Sequence, residues 1–322
     1  MKFLDKKNLQ RLAAVTALGS ALVFGGNTNA APADNGAWAF RESYTIQAPD
    51  TRVFKQDLSL IASNFHLDID SRAQILADGS FRMGGQFNWT YTNLKKNYST
   101  NNTIPFYIEQ IGNEMTLYVQ RRGKWSKMLL PGLPSGIALF WKSNDPVIIN
   151  AVINAVKSVE IFKETPDLRS MNVTLDGSKL ADILEKNSQN SFAGLEGDAL
   201  AEQKEIFDRW LAAFRTTDIN FSWNVNKPSL TTATAAFDLT PIMRAYARYV
   251  LDQAAAGKVV LTDEERDLLD AMGYYSELRA YTTRIAPRRE LLIDLPSELM
   301  TAPENENSLN DIFYEMTTVV ER

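Results

Sequence analysis

The chain has 322 residues, 45% hydrophobic and 23% charged, with a net charge of −5, a single histidine and no cysteine. Without cysteine there is no disulfide, no lipobox thiol for lipid attachment and no Cys-based zinc site, and one histidine leaves zinc short of its usual ligands. The acidic balance argues against a nucleic-acid partner, because binding to phosphates rests on Lys and Arg.

Residues 1–30 have the composition of a cleavable export signal. Lys2, Lys6, Lys7 and Arg11 form a basic start, the apolar run Leu12–Phe24 follows, and Thr28-Asn29-Ala30 offers small residues where a signal peptidase reads. The run is too short and too interrupted for the ~20 residues of a membrane-crossing helix. Cleavage before Ala31 removes four basic residues and one Asp, taking the net charge from −5 to −8. About 290 residues remain, enough for a substantial core. The expectation is an exported, periplasmic or extracellular, soluble protein with no lipid anchor and no integral membrane segment.

His66 lies in the alternating run Phe65–Asp70 and shares a face with Asp68 and Asp70, which reads as a solvated imidazole beside carboxylates. No G-x-S-x-G elbow, phosphate loop, dinucleotide fingerprint or H-E-x-x-H helix occurs, so no catalytic residue, metal or cofactor is expected. An acid-pair hydrolase using Asp68 and Asp70 is the enzymatic alternative.

Ser59–Asp70 and Arg72–Arg82 read as strands, with a tight turn at Asp78-Gly79. Gly85–Tyr91 carries Phe87, Trp89 and Tyr91 on one face, an aromatic stripe that either packs under a covering helix or lines a ligand cavity. Lys95–Thr103 is polar and reads as an exposed loop. Phe106–Ile111, Met115–Gln120 and Lys124–Leu130 form a three-strand meander turning at Gly112-Asn113 and Arg121–Gly123.

Leu130–Trp141 mixes helix breakers with bulky apolar residues. Loops are ordinarily polar because their backbone needs water. This one is therefore a buried plug or a movable gate built from Leu133, Ile137, Leu139, Phe140 and Trp141. Asp145-Pro146 opens a helix through Val156 with little polar surface, whose Ile148, Val152 and Ile153 suit a position inside the fold.

Ser170–Leu175 reads as a strand, Lys179–Leu184 as a short helix and Ala199–Phe214 as an amphipathic one. Ile219, Phe221, Trp223 and Val225 alternate with polar residues in Asp218–Asn226, and Leu230–Leu239 follows as an antiparallel partner. Thr240-Pro241 starts a helix stopped by Gly257, and Thr262 with Glu265 forms a capping box for a helix ending at Gly273. Tyr274–Ile285 and Glu290–Leu295 read as the last strands, and Pro296–Ala302 leaves the core. No linker or internal repeat divides 31–303, read as one domain followed by a C-terminal tail at 304–322 that is a candidate helix.

The order of residues across Ile104–Met128 resembles secreted bacterial proteins related to the periplasmic lipoprotein-localisation factor and the envelope lipid carriers of its superfamily. The resemblance rests on an apolar strand, the Gly112-Asn113 turn, a strand with Met115, Leu117 and Tyr118, and then Lys124-Trp125-Ser126-Lys127. Phe237-Asp238-Leu239-Thr240, Tyr275–Thr282 and Ile293-Asp294-Leu295-Pro296 before Ala302 resemble the closing strands of that family.

The resemblance implies an α+β fold: a strongly curved antiparallel sheet, or half-barrel, with helices plugging its concave side around an apolar cavity. It also implies a carrier of an acyl chain, lipid or lipoprotein that makes transient membrane contact and needs no catalytic triad. Candidate cavity residues are Phe87, Trp89, Tyr91, Phe106, Leu117, Trp125, Phe221 and Trp223. The helical segments Leu195–Phe214 and Arg244–Met272 depart from the pattern by adding mass able to fill such a cavity. An interaction or sensor module with a filled core is therefore the alternative expectation.

Overall fold

The computed structural model describes residues 37–44, 52–62, 65–76, 80–93, 98–111, 114–130, 146–187, 196–227, 233–274, 277–285 and 293–305. The proposed signal at 1–30, the five proposed gate residues and nearly all of the 304–322 tail lie outside these. Among the described residues no helix is long and apolar enough to cross a membrane.

Eleven strands are described: β1 (Arg52–Ala62), β2 (Phe65–Ile75), β3 (Phe81–Asn93), β4 (Tyr98–Ile111), β5 (Glu114–Arg121), β6 (Lys124–Leu130), β7 (Val156–Glu164), β8 (Leu168–Leu175), β9 (Ile219–Asn226), β10 (Ala233–Asp238) and β11 (Glu277–Ile285). They form one sheet in the order β6-β5-β4-β3-β2-β1-β11-β10-β9-β8-β7. Every adjacent pair is antiparallel. The sheet is not closed, since β6 and β7 are its two edges. Two runs of sequential strands, β1–β6 and β7–β11, are thus joined by the one non-sequential pair, β1 with β11.

The helices are α1 (Ala37–Tyr44), α2 (Pro146–Asn154), α3 (Gly177–Asn187), α4 (Gly197–Arg215), α5 (Thr240–Ala255) and α6 (Asp263–Tyr274). They interrupt the second run, α3 and α4 between β8 and β9, α5 and α6 between β10 and β11. These four pack on one another in sequence, and the closest helix-on-sheet packing is α5 on β11 and α1 on β7. The architecture is therefore α+β, with an open antiparallel sheet.

Several elements differ from the sequence reading. Ala62 pairs with Phe65, so the expected Ser59–Asp70 strand is two strands joined by Ser63-Asn64, both turn-favouring residues. The expected loop at Lys95–Thr103 is largely the start of β4: its polar side chains meet polar partners on β3, with the Thr103 hydroxyl donating to Asn88 Oδ1 at 2.8 Å. Helix α2 ends at Asn154, and Val156 opens β7, an exposed strand too weakly alternating to be read in advance.

The C-terminal segment does not leave the core as expected. The Ile293 N–H donates to Gln74 Oε1 at 2.8 Å and its carbonyl accepts from Gln74 Nε2 at 3.2 Å, a two-point clasp on β2. A 3-10 helix at Ser297–Thr301 then buries Leu299. The chain finishes against edge strand β6, where Lys127 N–H donates to the Pro303 carbonyl at 3.0 Å and Asn305 N–H to the Lys127 carbonyl at 2.9 Å.

Gly84 and Gly85 in β3 are required by close approach rather than by turn geometry. A Cβ on Gly84 would sit 2.7 Å from the Tyr107 ring, and one on Gly85 would overlap the Asp70 carbonyl oxygen and lie 2.7 Å from Ser71 Cα. Backbone neighbours cannot swing aside as a side chain can. Gly85→Ala is expected to lose about 3 kcal/mol of unfolding free energy in urea titration. Gly123→Ala, at a positive φ with open space around it, is expected to lose about 1 kcal/mol. Equal losses would contradict this account.

Candidate ligand-binding face

Side chains alternate along each strand, so the register assigns every residue to one of two faces. Leu67, Ile69, Ala73 on β2 stand opposite Trp89, Phe87, Met83 on β3; Phe87 and Met83 stand opposite Ile104 and Ile108 on β4. Phe106 and Ile108 continue to Val119 and Leu117 on β5, and Leu117 to Met128 on β6. The same face runs through β11 and β10 to Phe221 and Trp223 on β9 and Val173 and Met171 on β8. One apolar surface spans the sheet, its buried members in a single core cluster with Ile69, Phe87 and Ile108 packed against it.

The structure brings most of the expected residues to this face but divides them into two groups. Phe87, Trp89, Phe106 and Leu117 occupy β3–β5, with Phe87 stacked on Phe106 at 4.2 Å between ring centroids. Phe221 and Trp223 occupy β9, and four strands lie between β3 and β9. At about 4.8 Å per strand the groups stand roughly 24 Å apart along the sheet. Tyr91 pairs with Phe65 at the end of β3, and its side chain is not among those described.

Trp125 is a correction. It pairs with Gln120, while Met128 pairs with Leu117, so Trp125 falls on the opposite face, 5.6 Å from the Tyr107 ring. The Lys124–Met128 segment does not alternate clearly enough to reveal that parity. Met128, 2% exposed, is the inward residue of this strand. Val152 and Ile153 of the expected plug helix are buried in the core cluster, and α2 packs beside α3; the side chain of Ile148 is not described.

The β8–β10 half of the face is filled by protein. Phe40 of α1, fully buried, meets Phe221 at 5.7 Å and Trp223 at 5.4 Å edge-on, and Phe221 stacks on Phe237 at 4.7 Å. Trp223 has no solvent exposure. Deeper in the helical layer, Trp210 of α4 stacks on Tyr246 of α5 at 4.2 Å.

Sequence reasoning missed α1, although Ala37, Phe40 and Tyr44 recur at helical spacing. Helix α1 is held in place by Arg169 on β8. The Arg169 guanidinium donates to Glu42 at 2.5 Å and to Glu164 at 2.9 Å, and Trp38 lies over it at 4.9 Å.

The β2–β4 half is covered less completely. Ile69, Phe87 and Ile108, on three adjacent strands, touch the core cluster yet keep partial exposure. Trp89, 3% exposed, places its indole Nε1 where no described group accepts its hydrogen. The opposite face carries the Tyr107–Trp125 pair beside polar groups: Arg82 donates to Glu109 at 3.0 Å, and His66 lies 3.1 Å from Asp68, about half exposed, with Asp70 at the surface of the same strand.

No family model matches the chain, and no curated protein matches it in sequence. Among solved structures, LprF from Mycobacterium bovis is similar over 89% of this chain and 97% of its own, at 10% identity and a TM-score of 0.30. A likeness of that strength carries no argument about fold or function.

Hydrogen bonds from Arg169 and then Lys227 hold the Glu164 carboxyl down at about 2. A carboxyl depressed in the folded state stabilises it above the unfolded value near 4.5, and that stabilisation fades as pH falls toward 2. The Tm difference between wild type and Glu164→Gln is therefore expected to be constant above about pH 5 and to shrink on acidification. A difference independent of pH down to 2 would refute this role of the Arg169 cluster.

Proposed function

We propose that this chain is an exported carrier or binding protein for an apolar ligand, a lipid or a lipidated protein, whose hydrocarbon lies against the β2–β5 part of the apolar face. The observation that carries the reading is the contrast between the two halves: Phe40 fills the face at Phe221 and Trp223, whereas Ile69, Phe87 and Ile108 form a partly exposed apolar strip on adjacent strands. The glycines at 84 and 85, which let neighbouring groups close tightly on β3, fit a sheet that curls around that strip.

The chemistry of such binding is burial. A chain of about 16 carbons gains on the order of 12 kcal/mol at ~0.8 kcal/mol per CH₂, before association costs that consume much of it. No charged group is needed to hold the hydrocarbon, and no bond is made or broken. The signal-like composition of residues 1–30 and the absence of a lipidation cysteine support a reading in which this activity lies in the envelope or outside it, on a protein that reaches membranes by transient contact.

The alternative, an envelope interaction or sensor module with a filled core, is favoured by the burial of Phe106 and Leu117 to 1% and 3% exposure. Native mass spectrometry of protein purified from its own envelope, with fluorescence of N-phenyl-1-naphthylamine, separates the two. The carrier reading expects a co-purifying lipid mass and saturable fluorescence enhancement. Neither signal would leave the filled-core module.

A further inference from the structure

Trp89 is the one place on the β2–β5 apolar face where a buried side chain holds an unused hydrogen-bond donor among the described residues. An indole N–H donates and never accepts, and leaving it unpaired in a buried site is destabilising. Its register neighbours are Leu67 on β2 and Asn102 on β4. Leu67 is buried, while Asn102 is exposed and its Oδ1 already accepts the Thr103 N–H at 2.8 Å. The indole therefore stands where the face turns polar on its β4 side, at Asn102 and then Thr100, while on β2 and β3 the next row pairs Phe65 with Tyr91.

That position matches the one tryptophan favours at membrane interfaces, ring in hydrocarbon and N–H at the level of polar groups. From Trp89 to Phe81 at the other end of β3 the face runs about 27 Å at ~3.4 Å per residue. One acyl chain spans roughly half of a ~30 Å bilayer core, about 15 Å, so a single chain starting at Trp89 stays on the face.

We propose that Trp89 Nε1 donates to the carbonyl oxygen of an acyl linkage, an ester or amide, and so fixes the ligand class and its direction. The carbonyl sits at the Trp89–Asn102 end and the chain runs along Phe87 and Phe106. This rests on the carrier reading above. A neutral carbonyl fits better than a free carboxylate, because the neighbouring rows of this face carry Leu67, Ile69, Phe87 and Ile104 and, among the described residues, no cation. A buried carboxylate facing a single neutral donor would retain a large desolvation cost.

The test uses the full mature chain and N-phenyl-1-naphthylamine, a probe with no carbonyl. It is displaced by 1-monopalmitoylglycerol or by 1-O-hexadecylglycerol, which have the same chain and headgroup but an ester and an ether linkage respectively, and by palmitate. Wild type is expected to prefer the ester about fivefold over the ether, the ratio expected of one net hydrogen bond. Trp89→Phe is expected to lose that preference, so that ester and ether displace the probe equally well relative to each other.

In ¹H–¹⁵N spectra of wild type, the Trp89 indole resonance is expected to move downfield with the ester and not with the ether, a readout that needs no stable variant. Equal wild-type affinities for ester and ether, a preference surviving in Trp89→Phe, or an unmoved indole resonance would overturn the proposal while leaving the carrier reading intact. Tighter binding of palmitate would replace the neutral carbonyl with a carboxylate and overturn the assigned class. Absence of any probe enhancement by wild type would sink the carrier reading and this inference together.

Discussion

Everything in this fold depends on one parity being kept across eleven antiparallel strands. A side chain's face is fixed by its register, and a slip of one residue in any ladder would turn that strand's apolar set toward water. The β1–β11 pair, nine residues in unbroken register from Val53–Ile285 to Ile61–Glu277, is where the two runs of sequential strands must agree. Its partners lie 216 to 232 positions apart, so among the described strand pairs this one closes the longest loop and carries the largest chain-entropy cost. Because it is in step, Leu67 and Trp89 in one run and Phe221 and Trp223 in the other face the same interior.

An open sheet leaves two edges, and each is handled differently. At β6 the C-terminal segment adds its own backbone to Lys127, and the Gln74 clasp at Ile293 fixes where that segment begins its crossing. At β7 the protection is irregularity and charge: the pairing with β8 shifts register at Val156/Ser158 and at Ile161/Lys163, and Lys157, Glu160, Lys163 and Glu164 line the strand. Both devices discourage pairing with another chain. They also separate the roles of the two halves, since the β7 side carries the Arg169 cluster that seats α1 and so fills the adjoining interior.

The amount legible in the sequence followed the strength of the periodic signal. The clean alternation of Ile219, Phe221, Trp223 and Val225 placed β9, and the aromatic spacing of Phe87 and Trp89 placed both on one face, as their pairing with Ile69 and Leu67 requires. Helices α4, α5 and α6 were readable from their apolar stripes, the Pro241 at the start of α5 and the left-handed Gly257 after it. Where alternation fails, so did the reading. Trp125 was assigned to the cavity along with the resemblance and lies on the opposite face, β7 was missed because it is mostly exposed, and polar residues of β4 looked like a loop because their partners on β3 are a long-range fact. Nothing local could show that Phe40 fills the space beside Trp223, because that contact joins residues about 180 positions apart.

The central claim is that apolar ligand lies on the β2–β5 part of this face and not on the β8–β10 part. A 16-carbon glycerol ester with a diazirine at the end of its chain, photolysed with the full mature protein and mapped by peptide mass spectrometry, tests it directly. The account predicts insertion into residues 81–121. Labelling concentrated in 219–238, or no labelling above that of the polar surface, would contradict it.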